Sequence, residues 1–120
     1  MRTSDKKNKA FIRRLQFAIN GIVSTFKQES SFRTQLFFGV SALILVGLLG
    51  APPHWWALFI LMIGAILACE LINTALESLS DRIEPTHNEL IGRAKDCAAG
   101  AVLILSTTSI ILFLIFLWTK

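Results

Sequence analysis

Acidic residues are scarce in this chain, 8 among 120. Long stretches hold no charge of either sign: there is none from Trp55 to Cys69 and none from Cys97 to Trp118. An apolar helix of about 20 residues crosses a bilayer. With 53% hydrophobic residues gathered into such runs, the composition excludes a solvated globular domain and points to one polytopic membrane domain over 1–120. Cysteine is equally sparse. Cys69 and Cys97 lie beside or inside apolar segments, have no metal-type spacing, and read as small packing residues. No uninterrupted apolar region follows the charged start, so no secretory signal is expected. Neither G-x-x-x-x-G-K-[ST] nor G-x-G-x-x-G occurs, so no glycine-rich phosphate loop is present.

What is present begins with a basic N-terminus. Arg2, Lys6, Lys7, Lys9, Arg13, Arg14, Lys27 and Arg33 supply most of the net charge of +4. An anionic membrane surface accounts for them more simply than a nucleic acid does. Phe11, Ile12, Leu15, Ala18, Ile19, Ile22, Val23 and Phe26 recur at helical spacing, which predicts an amphipathic surface helix over 10–28 lying in the membrane interface, preceded by a frayed start. Phe17 stands on the polar side of that helix, where a ring has no lipid to face; it is either a stray surface residue or a stacking platform. The first span is expected over 32–51, ended by Pro52-Pro53. The second is expected over 55–79, a polar connector over 82–96, and the third span over 97–118. Within the connector, Thr86-His87-Asn88-Glu89 has the form of a capping box. Ala98-Ala99-Gly100-Ala101 opens the third span with small residues that let helices approach.

Topology follows from charge. Every Lys and Arg except Lys120 lies in the N-terminal part or the connector, and the 51–54 turn holds none. The positive-inside rule therefore puts the N-terminus and connector in the cytoplasm. Trp55, Trp56 and Trp118 then fall together at the outer interface, as an aromatic belt does.

The stretch Cys69–Asp81 carries the chemistry. Glu70, Asn73, Glu77 and Asp81 fall within a sector of roughly 80° on a helix. An ionisable group inside a span costs on the order of 3 kcal/mol or more, which makes it a functional-site candidate. Glu70 is placed to meet a lipid hydroxyl as a base. Glu29 and Glu77 come from different segments at one depth and suit Mg²⁺, which takes one or two carboxylates plus phosphate oxygens. Lys95, with backbone N–H groups at the start of the third span, would make a phosphate site.

These residues carry a resemblance. Glu70-x-x-Asn73-x-x-x-Glu77-x-x-x-Asp81, then Glu89 to Asp96 with Gly92-Arg93-Ala94-Lys95-Asp96, and Asn20-Gly21, Glu29 and Phe32-Arg33 upstream, resemble the bacterial diacylglycerol kinase family over nearly the whole chain. The resemblance implies an all-α homotrimer in the inner membrane, each chain with a surface helix and three transmembrane helices. It implies transfer of the ATP γ-phosphate to a lipid alcohol with Mg²⁺. It further implies Glu70 as catalytic base, Glu29 and Glu77 as metal ligands, and nucleotide contacts from these two with Phe17, Asn73, Thr86, His87, Asn88, Lys95 and Asp96. Lipid-substrate contacts are implied for Arg14, Ser31, Phe32, Arg33, Thr34, Gln35, Glu70 and Ala99. Two departures stand out. Phe17 occupies a position where relatives often have Tyr, which keeps stacking and loses a hydroxyl. An N-terminal arginine of the family has only Arg13 and Arg14 nearby as counterparts.

The family has a diacylglycerol branch and an undecaprenol branch. Gly92-Arg93-Ala94-Lys95-Asp96 and Gln35 resemble the first, and Ala98-Ala99-Gly100-Ala101 the second; diacylglycerol is the expected acceptor and undecaprenol the alternative. A non-catalytic membrane subunit or ion pathway would use Glu70 and Glu77 as relay groups, but leaves Glu29, Lys95 and Asp96 without a role. An anionic-lipid-binding scaffold would explain the basic N-terminus and not Glu70. No nucleic acid is expected as a partner.

Overall fold

A computed structural model describes residues 3–86 and 88–120. The described residues form four α-helices and no strand: α1 Thr3–Gln28, α2 Ser30–Leu48, α3 Pro53–Ile83 and α4 Glu89–Trp118. The last three are each long and apolar enough to cross a membrane.

The expected ends at Gln28 and Trp118 are found; other helix ends differ from the sequence expectation in ways that local chemistry explains. α1 is helical from Thr3 rather than from residue 10, and Asp5 in its first turn complements the helix dipole. α2 starts at Ser30, after a single non-helical residue, Glu29. It stops at Leu48, short of the expected 51, because Gly50 adopts φ +72°. Gly50 N donates to Gly47 O and Ala51 N to Val46 O, the two bonds of a Schellman ending. Glycine, not Pro52, therefore terminates this helix. Pro53 opens α3, where its missing N–H costs nothing.

The largest correction concerns the 82–96 connector. α3 runs through Ile83 and α4 begins at Glu89, so only residues 84–88 separate them. The polar part of this segment from Glu89 to Asp96 already belongs to α4. Its cap is Asn88, whose Oδ1 accepts from Leu90 N at 2.9 Å and Ile91 N at 3.2 Å. The expected Thr86–Glu89 capping box is not formed; the Thr86 hydroxyl instead donates to Glu84.

α3 is the central element. α2 and α4 both pack along it, and α1 rests on α2 and α3. At the end where α3 begins, Val46, Phe59 and Phe116 form the buried core, with Trp55, Trp56 and Phe113 around them. The Trp55 and Phe116 rings meet edge-on, centroids 5.3 Å apart, a favoured aromatic geometry. Trp55 and Trp56 are thus half-buried against neighbours, while Trp118 is exposed. Helices approach closely at Gly39, where a Cβ would stand 3.0 Å from Ile63, and at Gly47, 3.0 Å from Trp56. The approach expected at Gly100 is not made within the chain: a Cβ there meets nothing within 4 Å.

Candidate active site

Glu70 is buried at 3% exposure, midway along α3. A carboxylate removed from water needs a donor, and Ser31 on α2 supplies one: its Oγ lies 3.2 Å from Glu70 Oε2. One turn further along α3 stands Asn73, whose Nδ2 donates to Glu77 Oε1 at 3.3 Å. A carboxylate accepts only, so this contact fixes which way the Asn73 amide faces. Its Oδ1 is buried and accepts no hydrogen bond among the described residues. The next turn carries Asp81, paired with Lys95 of α4 at 2.8 Å. Glu70, Asn73, Glu77 and Asp81 thus make a polar ladder on one face of α3, as the spacing predicts. Ser31 and Lys95 reach it from the two flanking helices.

Lys95 lies in the second turn of α4 rather than at its start. The expected phosphate site of Lys95 with free backbone N–H groups is therefore not formed, because those groups are bonded within the helix. The free N–H groups lie at the true start of α4, where Asn88 caps two of them. Asp96 is exposed beside Lys95. Thr86 and Asn88 lie on the short connector, and His87 lies outside the described residues.

Two grooves flank the ladder. Between α1 and α3 lies one of about 470 Å³, with Phe17, Gly21, Thr25 and Gln28 on one side and Leu71, Thr74 and Ser78 on the other. Phe17 is 65% exposed and lines this groove. Gln28 and Ser78 line the same groove, and Glu29 and Glu77 are their neighbours along the chain. Glu29 is half-buried, and its side chain makes no capping bond to α2. Among the described residues no three of His, Cys, Asp and Glu gather as a metal-binding set.

The other groove, about 510 Å³, lies between α2 and α4 with α3 as its floor. Its walls are mainly apolar, with Phe38, Leu45, Phe59, Met62, Ile66 and Phe113 among them. Gln35 Nε2 donates to Ser106 Oγ across it at 3.0 Å. Gln35 follows Ser31 by one turn of α2, and Ile66 precedes Glu70 by one turn of α3. The groove therefore leads toward the Glu70 carboxylate. The sequence reading missed Ser106, since nothing in its neighbourhood marks a contact 71 positions away.

The remaining expected lipid contacts are dispersed. Phe32 is buried at 4% and packs inside the chain. Thr34 donates to Ser30 O within its own helix. Arg33 turns back onto Phe26 and Lys27. Arg14 on α1 and Ala99 on α4 are exposed.

Comparison with known proteins decides which family builds such a site. Residues 16–117 match the family model described as prokaryotic diacylglycerol kinase. The chain belongs to this family. It is 35% identical to a diacylglycerol kinase of Haemophilus influenzae over 89 residues, 74% of this chain and 75% of that one. It is 34% identical to an undecaprenol kinase of Bacillus subtilis over 120 residues, 98% of each chain. A diacylglycerol kinase of Escherichia coli is 29% identical over 103 residues, 86% of this chain and 84% of that one. Relatives of both acceptor types are thus lipid kinases. Together with the three apolar helices, membership of this diacylglycerol kinase family makes the chain a multi-pass bacterial membrane protein and a lipid kinase.

Proposed function

We propose that the chain transfers the γ-phosphate of ATP to diacylglycerol, giving phosphatidic acid, as a homotrimer of the bacterial inner membrane with its site on the cytoplasmic side. One observation carries the chemistry: a buried carboxylate, Glu70, inside an apolar helix, where an apolar groove and a polar ladder meet. The groove suits the hydrocarbon part of a lipid. The ladder leads from Glu70 to the exposed Lys95–Asp81 pair, where a soluble nucleotide can enter.

In this reading Glu70 takes the proton of the acceptor hydroxyl. That oxygen bonds to the γ-phosphorus as the bond to the β,γ-bridging oxygen breaks, and ADP leaves with the displaced electron pair. Ser31 keeps the Glu70 carboxylate turned toward α2. Phe17 stacks on the base in the α1–α3 groove, Thr86, His87 and Asn88 border the nucleotide, and Lys95 and Asp96 contact its phosphates and ribose. Mg²⁺, which neutralises phosphate oxygens during transfer, fits the residues present: Glu29 and Glu77 offer carboxylates from two elements, and a Mg²⁺ held by one or two carboxylates plus phosphates needs no third protein ligand. The buried Asn73 Oδ1, without a partner among the described residues, offers a further polar atom one turn from Glu77. Lipid contacts come from Glu70, Ser31 and Gln35, with α1 lying in the inner interface on its exposed apolar stripe.

Undecaprenol is the alternative acceptor. The match to the Bacillus subtilis undecaprenol kinase along 98% of both chains favours it. The test is kcat/KM for a short-chain diacylglycerol and a short polyprenol in the same micelles at saturating Mg-ATP. A preference for diacylglycerol is expected. A preference for the polyprenol changes the acceptor and leaves the kinase reading standing; activity on neither overturns that reading.

A further inference from the structure

α1 and α2 meet at one residue. Glu29 is extended, with φ −110° and ψ 112°, and its side chain does not cap α2. The elbow is held from the other side. Arg33, one turn into α2, reaches back so that its Nη1 donates to Phe26 O at 2.7 Å and to Lys27 O at 3.0 Å. Both carbonyls belong to the last turn of α1, where no helical N–H remains to satisfy them. A guanidinium there also meets the negative end of the α1 dipole, and its hydrogen bonds are charge-assisted. Away from the elbow α1 is less firmly held: of its described residues Thr25 alone is buried. The angle of α1 against the bundle therefore depends on the elbow more than on side-chain packing.

We propose that Arg33 is a positioning residue: by tying the end of α1 to α2 across Glu29, it sets where the Glu29 carboxylate stands for the metal role proposed for it with Glu77. The inference rests on the kinase reading and replaces the lipid contact that the family resemblance implies for Arg33. The guanidinium is committed to the α1 carbonyls, and Arg33 does not line the apolar groove.

Arg33→Gln and Arg33→Lys test it in the full-length protein reconstituted in lipid. Two readouts are needed. Kinetics give the Mg²⁺ concentration for half-maximal rate and the KM for the lipid. Electron-spin distance measurements, with labels at Asn20 and Leu79 and native cysteines replaced by alanine, report how α1 lies against α3; excess unlabelled chain removes distances between copies. Arg33→Gln is expected to raise the Mg²⁺ requirement at least five-fold, leave the lipid KM within two-fold, and broaden the distance distribution. Arg33→Lys, still able to donate to one carbonyl, is expected to recover part of both effects. An unchanged distribution overturns the proposal, as does a raised lipid KM at an unchanged Mg²⁺ requirement, which would return Arg33 to lipid contact. A wild-type chain inactive on both lipids overturns the kinase reading instead, and the distance distribution still decides the clamp.

Discussion

Glu70 keeps its carboxylate out of water with one hydrogen-bond donor from a neighbouring helix. If it is the base, Glu70→Gln keeps the shape and removes the proton acceptor. Turnover is expected to fall by orders of magnitude while the KM for ATP changes little, a loss confined to the transition state; steady-state kinetics in micelles decide it, and a variant that keeps most of its turnover removes Glu70 from that role. Glu29→Gln and Glu77→Gln are expected to behave differently, shifting the rate-versus-Mg²⁺ curve to higher concentration as well as lowering the maximum. The ladder itself was legible in the sequence, because 3.6-residue periodicity fixes which side chains share a face. Its partners were not. Ser31 meets Glu70 across 39 positions and Gln35 meets Ser106 across 71, and helical period carries no information about which faces of two helices oppose each other.

Among the elements, existence and order were readable, as were the ends at Gln28 and Trp118; the other ends were not. Hydropathy marks spans by what is absent from them, so it starts the third span at Cys97, after the last charge, although the helix begins at Glu89. The backbone obeys a different rule: Asn88 caps and Gly50 terminates regardless of polarity. Asn88→Ala is expected to cost about 1 kcal/mol of stability, the usual worth of such a cap, whereas Thr86→Ala should leave helix stability nearly unchanged; thermal unfolding in detergent separates the two. Packing gives a second contrast. Gly39→Val pushes a branched side chain into Ile63, already 3.0 Å from the position of a Cβ, so α2 and α3 must part, and stability and activity are expected to fall together. Gly100→Ala meets nothing within the chain, so a loss of assembly without loss of monomer folding would place that face against another copy.

At the scale of the whole molecule, one chain leaves much apolar surface uncovered, including Phe37, Phe38, Leu61, Ile72, Leu103 and Ile104. Lipid covers such a surface as readily as protein does, so exposure by itself does not count subunits. The expectation of a trimer comes from the family resemblance, and cross-linking of active preparations tests it: a ladder ending at three copies is expected, and active protein that yields only monomer refutes it.

The ladder on α3 ties the site to the thickness of the membrane. From Glu70 to Asp81 it climbs about 16 Å at ~1.5 Å per residue, roughly half of a ~30 Å hydrocarbon layer. α3 is one unbroken helix of 31 residues, so its rungs cannot shift relative to one another, and the surrounding lipid decides which rung meets the headgroups. A thinner bilayer lifts Glu70 toward water and strips the acceptor's tail of its apolar surroundings. A thicker one draws Glu77 into hydrocarbon, where its charge is costly. Tilt absorbs only part of such hydrophobic mismatch. The enzyme is therefore a gauge of its own membrane: in vesicles graded from myristoyl to erucoyl chains, its rate should peak at one chain length and fall on both sides.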